Sequence, residues 1–122
     1  MAPRILLVDD DISQRKMFAS LLRNHGYAVL DAGNGRKAME HLEREPVDLL
    51  ITDMVMPEMD GVQTILAVRN RCPGVKIIAV AESKLTPAES SLKIARILGS
   101  QKTFVKPLVP DELLDAVREL VG

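Results

Sequence analysis

The sequence is poor in several residue types that identify particular classes of protein. It contains one cysteine, no tryptophan and only 2 % aromatic residues. An internal disulfide is therefore impossible, and Cys72 has no cysteine or histidine at metal-ligand spacing. The net charge of -1 comes without any run rich in Lys and Arg. We therefore expect neither a nucleic-acid partner nor a membrane partner.

Long apolar runs are also missing. No apolar stretch approaches membrane-spanning length, and the run near the N-terminus reaches aspartates after four residues, which is too short for a signal-peptide core. We expect a cytoplasmic protein. The 122 residues, 47 % of them hydrophobic, suffice for one packed core. Because there is no repeat, low-complexity tract or linker, a single domain is predicted over residues 1–122.

Five apolar runs predict five strands. Residues 5–8, 49–51 and 77–81 lack the polar alternation of a half-solvated strand, which is typical of parallel strands covered on both faces. Residues 27–30 and 103–105 form shorter runs with polar or glycine neighbours, which favours outer positions in the same sheet.

Segments with helix-start signals lie between these strands. The start residues are Asp11 with Gln14, Asp60 with Gln63, Thr86 with Pro87 and Glu89, and Pro110, while the second helix covers about residues 36–44. The predicted buried stripes include Met17, Phe18, Leu21 and Leu22 in the first helix and Val62, Ile65 and Leu66 in the third. Strand and helix alternate throughout, so we predict a doubly wound α/β domain with helices on both faces of a parallel sheet.

Charged side chains follow several of the predicted strands. Asp9 and Asp10 end the first strand, Asp53 ends the third, Ala81 ends the fourth and Lys106 ends the fifth. In such sheets ligands bind outside the carboxyl ends of the strands. Each aspartate alone is common at turns and caps. Together they predict one site containing three carboxylates and an amine.

Clustered carboxylates are costly unless a cation or a proton intervenes, since two of them 4 Å apart repel by roughly 4 kcal/mol at an effective dielectric of 20. A hard divalent cation is the simpler of the two. Mg²⁺ suits a shallow site, because it is usually held by one or two carboxylates plus a substrate phosphate. We expect Asp10 and Asp53 to be direct ligands, with Asp9 acting through water. Beside the metal, Asp53 is the candidate nucleophile for phosphoryl transfer, and Lys106 is a candidate point charge for the phosphoryl oxygens.

Four ordered motifs resemble those of one family, the receiver domains of two-component response regulators. They are ILLVDDD at residues 5–11, LLITDMVMPEMDG at 49–61, KIIAV at 76–80 and VKPL at 105–108. The resemblance spans the chain and implies a flavodoxin-like strand order 2-1-3-4-5. It also implies that the protein is a phosphoacceptor signalling domain and not an enzyme, although it could assist its own phosphorylation and dephosphorylation.

The resemblance further implies roles for individual residues and partners. Asp53 would be the phosphoacceptor, Asp9 and Asp10 the acidic pair, Lys106 the phosphate contact, and the backbone carbonyl of Val55 a metal ligand. The phosphate would come from a histidine kinase or a histidine phosphotransfer protein. A downstream protein would bind the face formed by helix 4, strand 5 and helix 5.

Three positions depart from the family pattern. Ala81 stands where members usually carry Ser or Thr, Glu82 where they carry a small residue, and Thr103 where many have Tyr or Phe. Ser83 is a weak substitute for the missing hydroxyl, and Phe104 should face the opposite side of its strand from Thr103. These departures motivate a second hypothesis, a non-switching receiver that serves as a constitutive protein-docking module.

Two other classes share parts of this pattern. A Mg²⁺-dependent phosphohydrolase would place its nucleophile after the first strand and would need more chain to enclose a substrate. A flavodoxin-type FMN carrier would need a phosphate loop there, where Asp9, Asp10 and Asp11 repel phosphate. Both classes are therefore disfavoured.

Overall fold

The computed structural model describes residues 2–56, 58–82 and 88–122, with side chains for all of these except 88–91. The strands are β1 (Arg4–Val8), β2 (Ala28–Ala32), β3 (Leu49–Asp53), β4 (Lys76–Ala81) and β5 (Lys102–Val105). The helices are α1 (Ile12–Asn24), α2 (Gly35–Arg44), α3 (Gly61–Arg71), α4 (Ala88–Ile97) and α5 (Pro110–Val121). None of these helices is long and apolar enough to span a bilayer.

The five strands form one parallel sheet in the order β2-β1-β3-β4-β5. This confirms the predicted doubly wound, flavodoxin-like fold. The chain order reverses between β1 and β3, which lie side by side from Ile5 opposite Leu49 to Val8 opposite Thr52. The site predicted from the sequence therefore lies at the switch point of the sheet.

Two apolar clusters cover the two faces of the sheet. Leu6 and Val8 of β1 pack with buried residues of α2, α3 and α4, whereas Ile5 and Leu7 pack with those of α1 and α5. All five residues of β3 are buried. Covering on both faces is why the central strands read as continuous apolar runs without polar alternation.

The helix caps form in part as the sequence predicts. Asp60 and Gln63 make a complete capping box at the start of α3. At α1, the carboxylate of Asp11 accepts the Gln14 N–H at 3.1 Å, but the Asp11 N–H donates to Oδ1 of Asp9 at 2.8 Å. The box at α1 is thus half formed, because a site carboxylate takes the other bond. The cap predicted at Thr86 and Pro87 falls outside the described residues.

The predicted burial of two helix residues is wrong. Met17 in α1 is 54 % exposed and Leu66 in α3 is 45 % exposed. The residues that face the sheet are Phe18, Ala19 and Leu22 in α1, and Gly61, Thr64, Ile65 and Val68 in α3. At 100° per residue, Met17 and Leu66 each point roughly 150° away from the centre of the buried face. Apolar character alone therefore gave the wrong prediction for these two residues, because the buried faces also include the small or polar residues Ala19, Gly61 and Thr64.

Candidate functional site

Backbone ladder bonds carry the candidate residues past the ends of their strands. The Asp9 N–H donates to the Ala32 carbonyl at 3.1 Å, and the Lys106 N–H donates to the Ala81 carbonyl at 2.8 Å. Asp53 is the last residue of β3 and lies opposite Val80 in the register with β4. The side chains of Asp9, Asp53 and Lys106 therefore project from the sheet, not from free loops, and their positions are fixed by it.

These three side chains meet in one buried cluster. Nζ of Lys106 lies 3.1 Å from Oδ2 of Asp53 and 3.4 Å from Oδ2 of Asp9. The three side chains are between 8 % and 9 % exposed. Two acids thus share one amine in a region that is nearly closed to water, where charge interactions are strong.

Asp10 completes the acidic group from the solvent side. It is exposed, yet one carboxylate oxygen from each of Asp9, Asp10 and Asp53 lies within 4.8 Å of the others. Mg²⁺ binds oxygens at about 2.1 Å in an octahedron, which places adjacent ligands about 3 Å apart and opposite ones about 4 Å apart. The three carboxylates are therefore near enough to one another that they could hold a metal ion, with Asp10 on the exposed side.

The electrostatics of the cluster favour a cation. Burial, together with the hydrogen bond and the negative charge of Asp9, raises the pKa of Asp53 to about 8, although Lys106 acts in the opposite direction. Burial also acts to lower the pKa of Lys106, but Asp53 and Asp9 outweigh it, so that pKa rises above its ordinary value. The carboxylates are thus crowded, and the amine that faces them is fully protonated at neutral pH.

The loop after β3 approaches the site closely. The Gly61 N–H donates to the Met54 carbonyl at 3.1 Å. A Cβ atom at Gly61 would collide with the carbonyl oxygen of Asp53 and with Met54, so only glycine fits at the start of α3. Val55 lies in this loop with a side chain that is 71 % exposed. Its carbonyl as a metal ligand remains a prediction.

The three atypical positions lie on the β4 and β5 side of the site. Ala81 is buried, with 4 % exposure, and Glu82 is exposed. The Thr103 hydroxyl accepts a hydrogen bond from Nη1 of Arg96 in α4 at 3.0 Å. Phe104 packs instead with the cluster of α1 and α5, which confirms that it faces away from Thr103. Ser83 lies outside the described residues.

Sequence reasoning missed two residues near the acidic pair, namely Arg15, which contacts Asp9, and Asp31, which contacts Arg15. Nη1 of Arg15 donates to the Asp9 carbonyl at 2.9 Å, and Nε donates to Oδ2 of Asp31 at 2.9 Å. The two acids are 22 positions apart in sequence, so no local motif links them. The parallel pairing of β1 with β2, which places Val8 opposite Ala32, is the signal that brings their strand ends together.

Comparisons with known proteins agree with this geometry. The response regulator receiver domain family matches residues 5–118. The response regulator receiver protein CpdR of Brucella abortus is 35 % identical over 120 residues, covering 96 % of this chain and 92 % of CpdR. The solved structure of chemotaxis protein CheY4 of Vibrio cholerae superposes with a TM-score of 0.87 at 28 % identity, covering 99 % of this chain and 100 % of CheY4.

A longer relative is also similar. The transcriptional regulatory protein ZraR of Klebsiella oxytoca is 37 % identical over 110 residues, covering 89 % of this chain but 24 % of ZraR. The chain thus spans about a quarter of that regulator. Fold, ordered motifs and family match agree, and the chain belongs to the family of response regulator receiver domains, a signalling domain of two-component systems.

Proposed function

We propose that this receiver domain, over residues 1–122, accepts a phosphoryl group on Asp53 in the presence of Mg²⁺. The observation that carries the proposal is the convergence of Asp53 with Asp9, Asp10 and Lys106 at one end of the sheet. A buried carboxylate beside two more acids and an amine is costly as a structural feature alone. It is well suited to receiving a phosphoryl group with a divalent cation.

The proposed reaction transfers a phosphoryl group from a nitrogen atom of the donor to a carboxylate oxygen of Asp53. An Oδ atom of Asp53 forms a P–O bond to a phosphohistidine of the donor while the P–N bond breaks, and the released imidazole nitrogen takes up a proton. Asp53 reacts as the carboxylate, the form that a bound divalent cation would favour over the protonated acid. Bound Mg²⁺, held by Asp10, Asp53 and the Val55 carbonyl with Asp9 acting through water, would neutralise charge on the phosphoryl oxygens.

Lys106 has a second part in this proposal. Its ammonium bonds to Asp53 and Asp9 and sits on a flexible stem. When a phosphoryl group is added to Asp53, the same ammonium is placed to donate to the new oxygens as a point charge. It would therefore balance negative charge both before and after transfer.

The proposed partners are a histidine kinase or a histidine phosphotransfer protein as donor, and a downstream protein bound by α4, β5 and α5. Exposed apolar side chains on this face support the second assignment, namely Ile94, Ile97 and Val105. The other hypothesis from the sequence, a non-switching docking module, receives no support from the comparisons. Phosphorylation is therefore the function to test first.

The test is incubation with Mg²⁺ and acetyl phosphate, followed by intact-mass measurement. The wild type should gain the mass of one phosphoryl group, and hydroxylamine should remove it because an acyl phosphate is labile to that nucleophile. Asp53→Asn should gain nothing. Asp115→Asn, at a side chain 76 % exposed on α5, should behave as the wild type. An unmodified wild-type mass would refute the proposal.

A further inference from the structure

The guanidinium of Arg15 bridges the carboxyl ends of β1 and β2. It donates from Nη1 to the carbonyl of Asp9 and from Nε to Oδ2 of Asp31, each at 2.9 Å. The Arg15 side chain is only 16 % exposed, so these charge-assisted bonds are partly shielded from water and are stronger than exposed ones. Arg15 therefore holds the main chain at the first residue of the acidic pair.

Asp9 is restrained on several sides by this arrangement. Its N–H donates to Ala32 at 3.1 Å, its carbonyl accepts from Arg15, and its Oδ1 accepts the Asp11 N–H at 2.8 Å. The peptide that joins Asp9 to Asp10 begins at that carbonyl. The Arg15 bond restrains the orientation of this peptide, which carries the Cα atoms of both Asp9 and Asp10, and so restrains the points from which both side chains project.

Asp31 keeps Arg15 in place and balances its charge. Oδ1 of Asp31 also lies 3.8 Å from Nη2 of Arg23. Because Arg15 is paired with an acid outside the site, it acts on Asp9 through the carbonyl and not as a cation competing for the carboxylates. The Arg15 guanidinium also packs closely against the main chain at Gly33, since a Cβ atom at that position would lie 3.0 Å from Nη1 of Arg15.

We propose that Arg15 is a positioning residue for the Mg²⁺ site. Through the Asp9 carbonyl it orients the carboxylates of Asp9 and Asp10, and it touches neither the metal nor the phosphoryl group. This inference rests on the proposed function, because it takes the acidic pair as the metal-binding group. Outer partners of metal ligands typically contribute 10- to 100-fold to metal affinity.

The experiment measures Mg²⁺ affinity by isothermal titration calorimetry for the wild type and for Arg15→Met, which removes both hydrogen bonds. Affinity should fall about tenfold. Arg15→Lys keeps the positive charge but cannot form both hydrogen bonds with the same geometry, so its Mg²⁺ affinity should be intermediate. Gly33→Ala keeps Arg15 but crowds its Nη1 atom, so it should weaken Mg²⁺ binding by less than the tenfold expected for Arg15→Met. This second variant tests the inference if Arg15→Met fails to fold.

Arg23→Met is the matched control. Arg23 is on the same helix and contacts Asp31 and the Val29 carbonyl, but its hydrogen bonds do not include Asp9. Its loss should change Mg²⁺ affinity by less than about twofold. Thermal melting of each variant separates stability from affinity, and saturating Mg²⁺ should restore the phosphorylation rate of Arg15→Met.

Two outcomes would overturn the inference: wild-type Mg²⁺ affinity in Arg15→Met, or an equal loss of affinity in Arg23→Met. A wild-type chain that binds Mg²⁺ but takes up no phosphoryl group would refute the proposed function alone, since the affinities would still decide the role of Arg15. A wild-type chain that binds no Mg²⁺ would overturn both.

Discussion

Nζ of Lys106 lies 3.1 Å from Oδ2 of Asp53 and 3.4 Å from Oδ2 of Asp9, with all three side chains nearly buried. One ammonium therefore sits between two carboxylates that we propose to serve a divalent cation. Lys106 and Mg²⁺ draw on the same negative charge, so the lysine should oppose metal binding while it assists phosphoryl transfer.

Lys106→Met should change these two properties in opposite directions. Mg²⁺ affinity should rise several-fold because a competing positive charge is removed. The rate of phosphorylation by acetyl phosphate at saturating Mg²⁺ should fall by roughly 10- to 100-fold, because one charge-assisted hydrogen bond to the phosphoryl group is lost. Calorimetry and intact-mass time courses measure the two quantities.

Lys76→Met is the control for this substitution. Lys76 is an exposed residue at the opposite end of β4 from the site. Both quantities should stay at their wild-type values in this variant. If Lys106→Met lowered both the Mg²⁺ affinity and the phosphorylation rate, the proposed competition between Lys106 and Mg²⁺ would be wrong.

Stability without divalent cations should depend on pH through Asp53. The pKa of Asp53 in the folded protein is raised from 3.8 to about 8, so the folded state binds the proton more tightly than the unfolded state. The free energy of unfolding should therefore fall as pH rises through this window, by at most about 1.4 kcal/mol per pH unit. Lys106, whose pKa is also raised above its ordinary 10.5, adds a dependence only above that window.

Urea denaturation in the presence of a chelator, at about pH 5 and about pH 8, measures this slope. Asp53→Asn should flatten it, and at the higher pH should be more stable than the wild type, because only one of the two buried carboxylates that share the Lys106 ammonium then remains. Saturating Mg²⁺ should flatten the wild-type slope as well. A wild-type slope of the opposite sign would show that another group dominates.

Ala81→Ser should restore a hydroxyl at the end of β4. One charge-assisted bond to the phosphoryl group is worth about 1.5 to 3 kcal/mol, so the phosphorylation rate should rise by roughly tenfold or more. Ala79→Ser is the control, because Ala79 lies on the same face of β4, two residues earlier, and is fully buried. Its hydroxyl would be too far back to reach the phosphoryl group, and the rate should stay unchanged.

Arg69 should contribute more to stability than Arg71, the other arginine of α3. Its guanidinium donates four hydrogen bonds to backbone carbonyls, and so ties α3 to the start of β4 and the end of α4. The acceptors are Pro73 at 2.9 Å, Val75 at 3.2 Å, Leu98 at 3.3 Å and Gly99 at 2.5 Å. Arg69→Ala should lower the free energy of unfolding by about 2 to 4 kcal/mol.

Arg71→Ala provides the comparison on the same helix. Arg71 is 51 % exposed and pairs with Glu43 at 3.5 Å, so its loss should cost less than about 1 kcal/mol. Urea denaturation of both variants measures the difference. Equal losses would mean that the four carbonyl bonds add nothing to stability.

Much of the fold could be predicted from local patterns. The strands were recognisable because β1, β3 and β4 are covered on both faces, and α3 because its capping box is complete. The exposure of Met17 could not be predicted from apolar character, since burial depends on the angle at which a helix docks. The half-formed cap of α1 reflects a local competition that the capping-box pattern does not weigh, because the Asp9 side chain accepts the N–H two residues further along the chain.

For the site, the sequence located the residues that end strands but not those that support them. Asp9, Asp53 and Lys106 follow from the rule that parallel strands present their carboxyl ends at one edge. Arg15 was missed because its partners are a carbonyl and a distant acid, and carbonyl contacts leave no mark on residue type. The Arg96 bond to Thr103 was missed because it joins side chains on two separate elements, α4 and β5.

The burial of β3 has a consequence for how a signal is stored. The strand is paired on both sides, and its five residues are covered on both faces, so its amide protons should exchange with solvent only when the whole domain opens. The proposed phosphoryl group would thus be attached to the end of the strand whose amide protons exchange most slowly. A conformational change in response to it would have to occur in the loops at that end of the sheet, because the strand itself is held rigidly.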